Sequence, residues 1–380
     1  MSFSALGLSP ALLKKIADQN YTEPYPIQRE AIPAILKRKD ILGIARTGSG
    51  KTISYVLPVL MNRLGQPVAR NRHVNVLVLV PTRELAIQVS EVFLLFSSGL
   101  PERIKTLAVF GGVSINPQMM ALQGVNILVA TPGRLLELVE SKAVHLSDID
   151  TLILDEADKM LNLGFQEEMN RIFKLLPRKR QNLLFSATLN DDINNITQIV
   201  LRDPLIIKTE PEEDYFDKIQ QLGYFVSEEK KGPLLRYLIK TNNMNQVLVF
   251  TSSVYKADNV ADKLRKNGIQ ASAIHSKKSQ GARNEALGKF KAGELKVLVA
   301  TDLISRGIDI KFLPCVINYE LPRSPKDYIH RIGRTGRAES SGDAISFVSP
   351  DEQHHFKIIQ KKMGKPVTMI DSEHLDLKGY

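Results

Sequence analysis

The sequence predicts an α/β protein of two tandem domains, each a mostly parallel sheet flanked by helices, joined by a short linker. Three observations carry that prediction. Short apolar runs alternate with helical patterns from end to end, as they do in parallel sheets covered on both faces. At 380 residues the chain exceeds the size at which one hydrophobic core usually stops growing. Near the middle, Asp203-Pro204 is followed by the acidic stretch Glu210-Pro211-Glu212-Glu213-Asp214. Proline and clustered like charges both disfavour packed structure. The first domain is therefore placed at 1–205, the linker at 206–217 and the second domain at 218–380. An ordinary surface loop is the other reading of the middle stretch.

The strands are identified by where their apolar runs stop. Asp40-Ile41-Leu42-Gly43-Ile44 runs into Ala45 to Thr52, and Val76 to Val80 ends in Pro81-Thr82-Arg83-Glu84. Ile127 to Ala130 ends in Thr131-Pro132-Gly133-Arg134, Leu152 to Leu154 in Asp155-Glu156, and Leu183 to Phe185 in Ser186-Ala187-Thr188. In a parallel sheet these termini share one edge, the edge where open α/β folds bind ligands. The pattern recurs after the linker: Val247 to Phe250 leads to Thr251, Ala271 to Ile274 to His275, and Val297 to Ala300 to Thr301-Asp302. A second sheet with its own polar edge is expected, without a visible sequence repeat between the halves.

Composition narrows the class. Hydrophobic residues at 43%, charged residues at 24% and only 19 prolines describe a globular chain rather than a disordered one. The 51 basic residues exceed the 41 acidic ones by ten, which favours an anionic partner such as nucleic acid; simple solubility explains the charge equally well. Cys315 is the only cysteine, so an intrachain disulfide and a cysteine-built metal site are excluded. Beside Val316-Ile317-Asn318 it reads as a core thiol. No apolar run approaches the roughly 20 residues that span a bilayer, and Met1-Ser2-Phe3-Ser4 lacks the basic start of a secretion signal. No membrane partner and a reducing cytoplasm are expected.

Chemistry enters at Ala45-Arg46-Thr47-Gly48-Ser49-Gly50-Lys51-Thr52, between a strand and a helical segment. Small residues there let backbone amides approach phosphate, Lys51 would reach the β and γ phosphates, and the Thr52 hydroxyl would ligate magnesium. The start of the helix adds a favourable dipole. Ala45 stands where the general pattern has glycine, and a glycine-rich turn without nucleotide is the plain alternative. Such a site also needs a strand-end carboxylate for the metal, which Asp155 supplies, with Glu156 beside it to orient or deprotonate water. Downstream, His330-Arg331-Ile332-Gly333-Arg334-Thr335-Gly336-Arg337 places three arginines within eight residues. Beside a phosphate site they read as a set aimed at transferring phosphate. An arginine finger is worth about 10³ to 10⁵ in rate, or roughly 4 to 7 kcal/mol, so hydrolysis would wait for the two domains to close.

On these residues the chain resembles the DEAD-box RNA helicase family, whose naming tetrapeptide stands here as Asp155-Glu156-Ala157-Asp158. The resemblance covers nearly the whole chain, and the opening Phe3-Ser4-Ala5-Leu6-Gly7-Leu8 is most similar to bacterial RhlE-type members. It implies RecA-like domains, ATP and Mg²⁺ as cofactors, and RNA, single-stranded or in short duplexes, as partner. Phe3, Tyr21 and Gln28 resemble the family's adenine-reading element, with Gln28 bonding the base; Asp309 would face the ribose. Arg334 and Arg337 would be the arginine fingers. Asp158, Ser186 and Thr188 would couple the ATP site to strand separation, with His330 in the interdomain network. For RNA the resemblance points to Pro81, Thr82, Arg83, Gly111, Gly112, Thr131 and Arg134, and in the second domain to Gln280, Arg283 and Thr301. Such hydroxyls, amides and guanidiniums suit phosphate and 2′-hydroxyl contacts and read base identity poorly. The implied activity is ATP-dependent RNA unwinding, in which ATP and one RNA strand bind across the interdomain cleft, closure separates a short duplex and hydrolysis resets the enzyme. An ATP-gated RNA clamp would use the same residues. Arg46 and Ser276 depart from the usual family pattern, where glutamine and glycine are frequent.

Overall fold

A strand buried on both faces needs an unbroken apolar run, and the runs above form such strands. The computed structural model describes residues 2–45, 48–66, 71–209, 219–302, 313–335 and 342–380. The chain divides into two units, Met1–Pro211 and Glu212–Tyr380. In the first, the strands are β1 (Ile41–Ile44), β2 (Val76–Leu79), β3 (Thr106–Val109), β4 (Ile127–Ala130), β5 (Thr151–Leu154), β6 (Gln181–Ser186) and β7 (Leu205–Lys208). They form one sheet in the order β3-β4-β2-β5-β6-β1-β7, with every described pair parallel.

The period of two divides each strand between two cores. Val76 and Val78 face the core built by α1 (Pro10–Asp18), α2 (Pro26–Leu36), α3 (Lys51–Arg63) and α4 (Arg83–Ser97). Leu77 and Leu79 face the opposite core, closed by α5 (Ile115–Ala121), α6 (Pro132–Glu140), α7 (Ala157–Asn162), α8 (Gln166–Leu175) and α9 (Asp191–Val200). The helix α3 lies deepest, with Tyr55, Val56, Leu57 and Leu60 fully enclosed.

The second unit contains β8 (Ile219–Phe225), β9 (Val247–Thr251), β10 (Ala271–Ile274), β11 (Val297–Thr301), β12 (Cys315–Asn318), β13 (Gly342–Val348) and β14 (Thr368–Asp371). Its parallel order is β10-β11-β9-β12-β13-β8-β14. Counted from the first strand of each unit, the two orders are the same. The helices α10 (Lys231–Thr241) and α11 (Val254–Lys266) cover one face. The other face is covered by α12 (Gln280–Lys291), α13 (Pro325–Ile332) and α14 (Gln353–Met363). Cys315 is a core thiol, 3% exposed, with burial pushing its pKa up.

The expected linker, 206–217, overlaps β7. Ile206, Ile207 and Lys208 are in register with Leu42, Gly43 and Ile44 of β1, so the first sheet runs to Lys208. Of that linker, residues 210–217 lie outside the described residues.

Candidate functional site

Because every strand of the first sheet points the same way, its polar termini do share an edge, and the strand order sorts them. The termini of β3, β4 and β2 lead to Gly111-Gly112, Thr131 and Pro81-Thr82-Arg83, which lie on three adjacent strands. The termini of β5, β6 and β1 lead to Asp155-Glu156, Ser186-Ala187-Thr188 and the glycine-rich loop, on the next three. The residues expected to bind RNA and those expected to bind nucleotide thus occupy separate halves of one edge.

The nucleotide half is built on α3. Gly50 precedes its first turn at φ +82°, and a Cβ there would come within 2.3 Å of the Gln28 side-chain nitrogen; both demand glycine. Gln28 is 1% exposed. Its Oε1 accepts from the Tyr25 amide at 2.9 Å and its Nε2 donates to the Gly50 carbonyl at 3.1 Å. The residue expected to read adenine therefore braces the phosphate loop directly. Lys51 is buried and donates to the Ala45 carbonyl at 2.8 Å. One turn along, the Tyr55 hydroxyl donates to Asp155 Oδ2 at 2.8 Å. Thr52 lies at the same place, its side chain hydrogen-bonded to Tyr55.

Asp155 is 2% exposed. Burial raises its pKa above the ordinary carboxylate range, with the Lys51 ammonium opposing and the Glu156 charge adding to the rise. Burial and the Asp155 charge also hold the Tyr55 phenol well above its usual pKa. Glu156 adopts φ +54°, a left-handed conformation that costs a non-glycine residue about 1 to 2 kcal/mol. Its Oε1 accepts from Lys159 Nζ at 2.6 Å. Asp155 Oδ1 and Glu156 Oε2 are both buried with no hydrogen-bond partner among the described residues. The orphaned Asp155 oxygen and the Thr52 hydroxyl suit a hard cation, the orphaned Glu156 oxygen suits a water, and the Lys51 ammonium suits the phosphates such a cation carries. Asp158 turns to β6, where its Oδ2 accepts from the Thr188 hydroxyl at 3.3 Å and its Oδ1 from the Ala187 amide at 3.5 Å. Ser186 Oγ donates to the Thr188 carbonyl at 2.8 Å.

At the other half, Thr82 caps α4 by accepting from the Leu85 amide at 3.3 Å. The Arg83 guanidinium lies over Gly112, where a Cβ would approach Nη2 to 2.0 Å. Thr131 precedes α6 and spends no side-chain bond on capping it. Arg134 is 5% exposed and donates to the Val113 carbonyl at 2.8 Å, and its Nη1 is buried with no partner among the described residues. Phe3 is part of the first core, and the exposed Tyr21 ring lies 6.5 Å from Phe96.

In the second unit β10 and β11 occupy the places of β3 and β4. They lead to Gln280, which accepts from Arg283 on the first turn of α12, and to Thr301. His330 is half-buried on α13, and Arg334 follows that helix at 5% exposure. Thr47, Asp309 and Arg337 lie outside the described residues. The expectation of three arginines acting together needs correction at Arg331. That guanidinium is 2% exposed and makes a bidentate pair with Asp302. It also donates to Asn318 Oδ1 at 3.1 Å and the Glu320 carbonyl at 2.6 Å, over the Phe250 ring at 4.9 Å. With its donors spent inside the unit, it holds α13 to the strand ends of β11 and β12.

Sequence reasoning missed Arg331's role, Tyr55 and Lys159. The position of Tyr55 one turn after Lys51, on the same helix face, was the available signal. Among the described residues no helix is long and apolar enough to cross a membrane.

Residues 25–196 match the family model described as DEAD/DEAH box helicase, and residues 229–339 match the helicase conserved C-terminal domain. The DEAD-box ATP-dependent RNA helicase CshA of Bacillus cereus (strain ATCC 10987 / NRS 248) is 39% identical over 376 residues, covering 99% of this chain and 70% of the relative. CshA of Bacillus subtilis (strain 168) is 37% identical over 377 residues, covering 99% and 75%. Among solved structures, S. cerevisiae Dbp5 bound to RNA and ADP BeF3 aligns with a TM-score of 0.86 at 30% identity, covering 98% of this chain and 96% of that one. A DEAD box protein from the hyperthermophile Methanococcus jannaschii aligns at 0.55 and 36% identity, covering 97% and 99%. Both helicase models are matched in order and these curated relatives, aligned along nearly all of this chain, bear one name, so the two sheets are RecA-like domains and this chain belongs to the DEAD-box ATP-dependent RNA helicases.

Proposed function

We propose that the chain, in the cytoplasm, hydrolyses ATP to displace one strand of a short RNA duplex, using the residues assembled above. The observation that carries the reading is the pair of buried, unpartnered oxygens on Asp155 and Glu156 beside Lys51. An unpaired buried polar atom costs about 1 to 3 kcal/mol, and a ligand that satisfies it recovers that cost. Thr52 and Asp155 would hold magnesium, which neutralises phosphate charge and polarises the transferred group. Lys51 leaves the Ala45 carbonyl for the triphosphate, and Gln28 recognises the base while bracing the loop. Phe3, Tyr21, Thr47, Gly48, Ser49 and Gly50 complete the nucleotide side, with Asp309 at the ribose. Glu156 takes up the proton of the attacking water, while Arg334 and Arg337, carried by the second unit, stabilise the charge on the transferring phosphate.

RNA is held by Pro81, Thr82, Arg83, Gly111, Gly112, Thr131 and Arg134 in one unit and by Gln280, Arg283 and Thr301 in the other. Glycine amides, threonine hydroxyls and guanidiniums address the sugar and phosphate, so binding is independent of sequence. Asp158, tied to Thr188, links the nucleotide half of the edge to β6, and His330 joins this coupling from the second unit. The test is the ATPase rate with single-stranded RNA and with DNA of equal length, set beside displacement of a short RNA duplex. Stimulation by RNA alone, with displacement that requires ATP, is expected. Equal stimulation by DNA would contradict the 2′-hydroxyl contacts.

A further inference from the structure

At the N-terminal edge of the first sheet, opposite the edge described above, three segments distant in sequence come together. The Gln181 side chain donates to the Lys39 carbonyl at 2.8 Å and the Ile35 carbonyl at 3.1 Å. Asp40 is 8% exposed and accepts at Oδ1 from the Asn182 amide and at Oδ2 from the Asn182 side chain and the Arg202 amide, between 2.8 and 3.0 Å. These bonds clamp the turn after α2, the loop before β6 and the turn after α9 to one another. The surface they produce is basic. Lys37, Lys39, Arg178, Lys179 and Arg202 are exposed, and Arg180 is half-buried.

Among the described residues the cations of this cluster, Lys37, Lys39, Arg178, Lys179, Arg180 and Arg202, outnumber its carboxylates, Asp40 and Asp203. Asp40 spends its oxygens on Asn182 and the Arg202 backbone. Arg180 Nε is buried without a partner among the described residues, and Arg180 has its pKa lowered by burial and by the Arg202 charge, with the Asp40 charge only partly opposing them. Like charges held together by a buried clamp repel one another, and an anion placed among them relieves that repulsion. A single exposed lysine would be ordinary surface. Three basic segments joined by buried hydrogen bonds, with Arg180 and Arg202 near enough to repel, are a built surface.

The polyanion this enzyme handles is RNA. Along β6, whose six residues span about 20 Å at ~3.3 Å each, the patch is separated from the strand-end site by the length of the strand. We propose that this patch binds the phosphate backbone of RNA extending beyond the segment gripped at the opposite edge, so that long substrates are held more tightly than short ones.

Lys39→Gln, Arg178→Gln and Lys179→Gln combined remove three exposed cations without touching the clamp, since only the backbone of Lys39 takes part in it. Binding of single-stranded RNAs of about 10 and about 40 nucleotides would be measured across salt concentrations, because each neutralised phosphate contributes about 0.7 to the slope of log affinity against log salt. For the long RNA the triple variant should lose about 2 in that slope, with weaker binding at low salt. The short RNA should bind and stimulate ATPase as before, which keeps this test separate from the strand-end site. An unchanged slope with the long RNA would overturn the proposal and leave an acidic protein as the patch's partner. Equal losses with both RNAs would also overturn it.

Discussion

The first and second units share one strand order, but the carboxylate pair of the first and Arg331 of the second are buried in opposite ways. In the first, Asp155 and Glu156 each keep a buried oxygen unpaired and Glu156 adopts a left-handed backbone. In the second, Arg331 lies as deep but is matched by Asp302, Asn318 and Glu320. A chain that wanted only stability would not leave two carboxylate oxygens without partners, whereas a bidentate, ring-stacked arginine is what stability demands. The comparison teaches that a buried carboxylate oxygen left without partners points to a ligand, whereas a buried charge with its partners in place points to structure unless another observation says otherwise. The RNA half of the first edge is similar, since a buried Arg134 nitrogen has no partner among the described residues.

The largest effect that sharpens this contrast belongs to Arg334. Arg334→Ala should lower the RNA-stimulated ATPase turnover by about 10³ to 10⁵ while nucleotide affinity, measured by titration of a fluorescent analogue, stays near that of the parent. Arg331→Met should act differently. It removes the ion pair with Asp302, 30% exposed, and the bonds to Asn318 and Glu320, and unfolding of the second unit should become easier by about 2 to 3 kcal/mol, below the full cost of breaking a wholly buried pair. A denaturant midpoint that did not move would return Arg331 to the phosphate-binding set.

The smallest effect concerns pH. The folded-state pKa of Asp155 is raised by burial, so the folded protein holds that proton more tightly than the unfolded chain does. Its contribution to stability is therefore present below the ordinary carboxylate pKa and is lost as pH rises through the raised folded value. Asp155→Asn keeps an acceptor for Tyr55 and removes this loss. The variant should melt slightly higher than the parent above that window, with ATPase abolished, and the difference should vanish at lower pH.

Much of this was legible in the sequence where burial enforces a simple pattern. Runs such as Val76 to Leu79 are apolar because both faces are covered, and their polar ends reach one edge because parallel strands must. Strands outside that condition were not read. In β8, Gln220, Gln221 and Gly223 interrupt the run, and β7 exposes Leu205 and Ile206 at the end of the sheet, so an apolar-run criterion passes over both. The common strand order of the units was also invisible, because topology is kept by burial and connection lengths rather than by matching residues. Within the site the charged groups were readable by type and position, but not their partners. The Gln28 bond to Gly50 and the Tyr55 bond to Asp155 join residues 22 and 100 positions apart, and nothing local specifies either.

The most direct measurement is single-turnover hydrolysis by Glu156→Gln in the presence of RNA, with retention of the RNA followed in parallel. The orphaned Glu156 oxygen is assigned to the attacking water, so the variant should bind ATP and RNA together, hydrolyse at a small fraction of the parental rate and hold the RNA until ATP is removed. Hydrolysis at the parental rate, with RNA released as fast as by the parent, would contradict the assignment.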